Sequence, residues 1–165
     1  MADIGEIAGK ILEDDEVSVE ELLALIDSDV DNLIDAANQA GEEADYLIEK
    51  FLEYAAENID DFLNSKDRIE RYWLRLEDLP GGSHPYEINI RAAEFLAAHN
   101  KKNDISAEKL KLMSQDDDWR VRLVCAWTVR DADDNDAVQI REQLGNDPFE
   151  DDNGLFLVRE GAGFQ

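Results

Sequence analysis

Four residues, Ile90-Arg91-Ala92-Ala93, return 31 positions later as Val121-Arg122-Leu123-Val124, and a chain built on such a period has few folds open to it. The same spacing relates Leu96 to Trp127, Ala97 to Thr128, Leu110 to Arg141, Met113 to Leu144 and Asp116 to Asp147. A period of this length marks supersecondary units that bury their apolar stripes by stacking on one another. Three units are expected, 67–103, 104–135 and 136–165, the last lengthened by six residues around Glu150–Leu155.

Within and outside these units the apolar residues recur at helical spacing, and no segment alternates as a strand. Ile4, Ile7, Ala8, Ile11 and Leu12 make one stripe, which Asp14-Asp15-Glu16 interrupts. Ser18 and Glu21 form a capping box that opens a helix over Val19–Ile26. Ser28 or Asp29 caps the next, which runs through Ala37 to a stop at Gly41. Longer helices follow over about 43–63 and 67–79, the second ended by Pro80-Gly81-Gly82. Pro85 opens a helix through Ala98, and 106–113, 119–129, 136–144 and 155–159 complete the set. The expected fold is all-α, a short α-solenoid of antiparallel helix pairs. It forms a single domain over 1–165, with acidic N-terminal helices over 1–64 and about three repeats over 65–165. Val121 is expected in the inter-helix core, so that Val121→Asp costs several kcal/mol.

The run Asp116-Asp117-Asp118-Trp119-Arg120-Val121-Arg122, with Cys125 and Thr128 after it, resembles the HEAT repeat. That family places an Asp five and six positions before a Val-Arg pair, then small and apolar residues on the second helix. The match is best in 104–135. Tyr86–Ala97 resembles it less closely, with Pro85 at the Asp position, as does Asp147–Arg159. The resemblance implies structural links between adjacent units, Arg91 with Asp116 and Arg122 with Asp147, rather than catalytic roles.

Charge is the second strong feature. Against 41 Asp and Glu the chain has 16 Lys and Arg, a net of −25. Residues 1–64 carry twenty acids against Lys10 and Lys50 alone, a net of −18, and the remaining residues carry −7. Such a balance argues against docking directly on nucleic acid or an anionic membrane, because phosphates are bound with Lys and Arg. No apolar run approaches a membrane span, the first ten residues lack the centre of a signal peptide, and one cysteine builds no disulfide framework. A cytoplasmic protein is expected.

Little in the sequence points to catalysis. There is no nucleophile elbow, phosphate loop or dinucleotide fingerprint. Asp131, Asp133, Asn135 and Glu142 fall at calcium-loop positions 1, 3, 5 and 12, but Asp136 stands where the sharp turn needs glycine. An acidic turn capping a helix at Asp136 is the simpler reading. His84 and His99 lack zinc-ligand spacing, and Cys125 reads as a small core residue. Arg68, Arg71 and Arg75 beside Tyr72 are expected to pair internally with acidic neighbours. Trp127 shares a repeat position with Leu96 and is expected in the core, which leaves Trp119 as the better interface anchor. Neither an enzyme nor a cofactor or metal site is expected.

The function these features suggest is an acidic protein-binding module that captures and neutralises a basic protein partner. An immunity protein inhibiting a toxin such as a nuclease is the concrete form. The alternatives are a nucleic-acid mimic that blocks a DNA- or RNA-binding protein, and a HEAT-like scaffold or bilin-lyase-like subunit. Candidate partner-binding residues are Asp27, Asp29, Asp31 and Asp35 in the N-terminal part. In the repeats they are Asp116, Asp117, Asp118, Trp119, Asp131, Asp133 and Asp134.

Overall fold

The computed structural model describes residues 3–26, 31–75 and 86–164; the side chains of Asp31 and Arg75 fall outside that description. Among the described residues every regular element is helical. The α-helices are α1 (Ile4–Leu12), α2 (Val19–Ala24), α3 (Asp31–Ala40), α4 (Ala44–Glu57), α5 (Ile59–Phe62), α6 (Lys66–Arg75), α7 (Tyr86–Lys102), α8 (Ala107–Ser114), α9 (Trp119–Val129), α10 (Asn135–Leu144) and α11 (Leu157–Gly161). The chain forms two compact units, Met1–Phe95 and Leu96–Gln165, with the boundary inside α7.

Local chemistry sets the helix ends in the first unit. The Ser18 hydroxyl accepts from the Glu21 N–H while a Glu21 carboxylate oxygen accepts from the Ser18 N–H, both at 3.2 Å, so the capping box opens α2. The other Glu21 oxygen accepts from Lys10 at 2.8 Å and ties α1 to α2. Gly41, at φ 60°, ends α3 in the left-handed conformation that glycine adopts without a Cβ clash. The expected helix over 43–63 is broken: Asn58, at φ −113° and ψ 41°, separates α4 from α5. Its side-chain amide donates to the Tyr54 carbonyl at 2.8 Å, a local bond that competes with helix continuation. α1 packs against α3 and α4, and α3 against α4, around Ile7, Ile11, Leu33, Leu47, Ile48 and Phe51. Phe62 stands edge-on to both Phe51 and Phe95 with centroids 6.2 and 6.4 Å away, the geometry that ring quadrupoles favour. Trp73 is buried, and its indole N–H donates to the Asn89 side chain at 2.8 Å.

In the second unit α9 is central. It packs against α8, α10 and α11, and α8 also packs against α10. Helices two apart in sequence therefore touch, as in stacked helix pairs. Leu123, Val124, Cys125, Ala126, Thr128 and Val129 are buried, whereas Val121 is only half-buried. The expectation of a fully buried Val121 is corrected: the inward face of α9 starts at Leu123, two residues further on. Trp127 is likewise half-buried rather than core, with the Arg130 guanidinium 4.6 Å above its ring. Cys125 is in the core, where its thiol donates to the Leu110 carbonyl at 3.3 Å and burial pushes it up to about 12.

Candidate functional site

Two turns lie at one end of α9, and the first carries Asp116, Asp117 and Asp118, three of the seven candidate residues of the second unit. The first, Gln115–Asp118, leads into α9; the second, Gly145–Pro148, follows α10. Asp118 is the N-cap of α9, accepting from the Arg120 N–H at 2.9 Å. Asp116 accepts from the Asp118 N–H at 2.8 Å and keeps its carboxylate exposed; Asp117 is exposed beside it.

Arg122 joins the two turns. Its Nε and Nη2 donate to the two carboxylate oxygens of Asp147 at 2.7 and 3.3 Å, and its Nη1 donates to the carbonyls of Asp116 and Asp117. This is the Arg122–Asp147 pair that the resemblance to the HEAT repeat implies. Arg91, its counterpart one period earlier, is bound to Glu94 on its own helix at 3.1 Å. Asp147 organises the second turn, since its Oδ1 also accepts from the Phe149 N–H and its carbonyl accepts from Arg159 Nε at 2.7 Å. Phe149 thereby lies against Trp119, the rings 3° from parallel with centroids 4.3 Å apart. Sequence reading missed Phe149, which belongs to the lengthened connection and has no aromatic counterpart 31 residues earlier.

Between the two turns lies an open cleft of about 400 Å³, lined by Ser114, Gln115, Asp116, Asp117, Arg122, Gln143, Leu144, Asn146, Asp147 and Pro148. The single cation in this lining is spent on Asp147 and two carbonyls, so the rim carries the charge of Asp116 and Asp117.

Asp131, Asp133 and Asp134 lie past the other end of α9, about 16 Å away at the usual rise per residue. The two groups are therefore not one patch. Asp131 and Asp133 are exposed. Asp134, not Asp136, caps α10, accepting from the Ala137 N–H at 3.2 Å, while Asp136 pairs with Lys111 at 3.0 Å. Among the described residues no three His, Cys, Asp or Glu side chains are grouped so as to hold a metal ion. In the first unit Asp35 is exposed on α3; Asp27 and Asp29 lie outside the described residues, as does the Asp31 side chain.

The arginines of the second unit point inward. Arg141 donates to the carbonyls of Val129, Arg130 and Ala132, closing the C-terminal end of α9. Arg130 does the same for α11 at Glu160 and Gly161. Arg120 is held by Asp118. The exposed positive charge of this unit thus comes from Lys101, Lys102, Lys109 and Lys111. In the first unit Arg68 likewise donates to a carbonyl, that of Ile26, at 3.2 Å. No helix among the described residues is long and apolar enough to cross a membrane. Compared with protein-family models, curated proteins and solved structures, the chain matches none of them.

Proposed function

We infer that this chain is an acidic binding module of HEAT-like stacked helix pairs that captures and neutralises a basic protein, most concretely a cytoplasmic immunity protein against a toxin such as a nuclease. The supporting observation is the inward commitment of the arginines of the second unit to backbone carbonyls, Asp118 and Asp147. Cations that could have neutralised the surface are used as internal braces, so the carboxylates facing water keep their field. A field of that sign selects basic partners and speeds their capture. The stacking of α8 on α10 and of α9 on α11 supports the solenoid reading.

The test is capture from the source cell at low and high salt, followed by assay of the captured protein with and without one equivalent of this chain. A basic protein whose nuclease or other toxic activity is silenced at one-to-one ratio supports the reading. Enrichment that is neither basic nor lost with salt overturns it.

A further inference from the structure

The connection between α10 and α11 holds the chain's single Asn-Gly pair, Asn153-Gly154, and both residues are exposed. They end a turn in which the Gly154 N–H donates to the Asp151 carbonyl at 3.0 Å. The Asp151 Oδ1 accepts from the N–H groups of Asn153 and Leu155 at 2.9 and 2.8 Å, and the Asp151 N–H donates to the Leu155 carbonyl at 2.9 Å. The Asn153 carboxamide takes no part in these bonds. Gly154, at φ 80°, has no Cβ to shield its nitrogen, so that nitrogen and the preceding side-chain carbonyl carbon can meet without a steric barrier. Two other exposed asparagines of the second unit differ on both counts. The carboxamides of Asn103 and Asn146 donate to the carbonyls of His99 and Glu142, at 2.8 and 3.4 Å, and each of these residues precedes an Asp.

We propose that Asn153 is a site of spontaneous deamidation, gated by opening of the 151–155 turn. Asparagine is among the thermolabile residues, and here its reaction needs only water. Solvent hydroxide takes the Gly154 amide proton; the nitrogen attacks Asn153 Cγ and forms a cyclic imide. The Cγ–Nδ2 bond breaks, and Nδ2 leaves as ammonia with a proton from water. Water then opens the imide at either carbonyl carbon, breaking the bond from that carbon to the ring nitrogen. One opening yields aspartate at position 153; the other yields an isoaspartyl link, with the backbone running through Cγ and one carbon longer. Nothing is oxidised or reduced, and either product gives the chain one more carboxylate. The gate is the Gly154 N–H bond to Asp151: a bonded amide surrenders its proton to base only when the structure around it opens. The longer isoaspartyl backbone falls inside a loop tied at Asp151 and Leu155, immediately before α11. This inference is independent of the acidic-module reading.

The test incubates the full chain in mildly alkaline buffer and follows conversion by ion exchange and by mass spectrometry of the peptide containing position 153. Asp151→Ala, Asp152→Ala and Asn153→Gln are run beside it, and amide exchange of Gly154 is measured in each. The unaltered chain should accumulate a more acidic form, modified at position 153 and containing both products, faster as pH rises. Asp151→Ala should convert about fivefold faster, the factor by which one lost hydrogen bond shifts an opening equilibrium, with Gly154 exchange rising in parallel. Asp152→Ala removes the same charge from an exposed neighbour outside these bonds and should change the rate by less than about twofold. Asn153→Gln, whose extra methylene disfavours ring closure, should remain unconverted. Absence of conversion at position 153 over a period in which the denatured chain converts there overturns the proposal, as does earlier conversion at Asn103 or Asn146. Equal rates for Asp151→Ala and Asp152→Ala overturn the gate.

Discussion

Arg122 and Asp147 form a two-pronged ion pair between residues that are 14% and 4% exposed, with N–O distances of 2.7 and 3.3 Å. They come from turn-bordering positions 25 residues apart, and around them converge the α9 entrance, the turn after α10 and the backbone near Phe149. Removing one partner strands the other in a place with little water. Asp147→Ala should therefore cost about 3–5 kcal/mol in denaturant unfolding of the full chain. Asp147→Asn loses the charge and one of the two acceptor oxygens but keeps the other and the side chain's volume, and should cost less, about 1–3 kcal/mol. A double-mutant cycle with Arg122→Met checks the pairing: near-additive losses would show that each residue acts through its carbonyl and backbone contacts alone.

The burial pattern of α9 makes a sharper stability prediction. Leu123 is fully buried and Val121 is not, so Leu123→Asp should cost roughly 4 kcal/mol or more, enough to threaten the fold, whereas Val121→Asp should cost about 1–2 kcal/mol. Midpoints from thermal or denaturant unfolding decide it, and the reverse order would put the helix phase wrong.

Cys125 gives a readout of opening in the second unit. Its thiol is buried and pushed up to about 12, and thiolate is the reactive form. Alkylation by iodoacetamide at pH 8 should be slower than for a free thiol by orders of magnitude, and should accelerate along the unfolding transition. Rapid modification of the folded chain would contradict the burial.

Acid should weaken the link between α1 and α2. Hydrogen bonding from Lys10, then from the Ser18 N–H, holds the Glu21 carboxyl below its ordinary value of 4.5. A depressed carboxyl stabilises the fold at pH above its unfolded value, and that contribution is lost as pH falls through the lower folded value. The Lys10 ammonium is held up chiefly by the Glu21 hydrogen bond, so its contribution is present below 10.5 and is lost as pH rises through the raised value. In Glu21→Gln both limbs of the stability–pH curve should flatten. An unchanged acid limb would mean that the pair contributes nothing in solution, as exposed pairs often do.

What the sequence disclosed follows from how local each feature is. The capping box at Ser18, the stop at Gly41 and the span Trp119–Val129 depend on residues a few positions apart, and all three stand as expected. The Arg122–Asp147 pair was readable through the resemblance of Asp116–Arg122 to the HEAT repeat, which implies it. Features set by tertiary partners were not. Asn58 breaks a continuous apolar pattern by a side-chain bond to Tyr54 that periodicity does not register. The repeat alignment equated Val121 with Ile90, which is buried, although Val121 is half-exposed. Phe149 lies just before the extra residues, at the position held one period earlier by Asp118, so the period does not mark it as aromatic; the carbonyls that Arg68, Arg130 and Arg141 bind depend on which helix end is near.

The acidic surface itself should be measurable as a cost, and Asp35 on α3 gives the test. Its side chain is exposed in the middle of the helix, away from the first-turn dipole, and its carboxylate adds to the net charge of −25. Asn has nearly the same helix propensity as Asp, so Asp→Asn changes little except charge. Asp35→Asn should therefore stabilise the chain at low salt by a few tenths of a kcal/mol, and the gain should vanish at high salt. If Asp35→Asn destabilises the chain alone in low salt, its carboxylate has an intramolecular role, and the first unit's acidity is not simply charge held out for a partner.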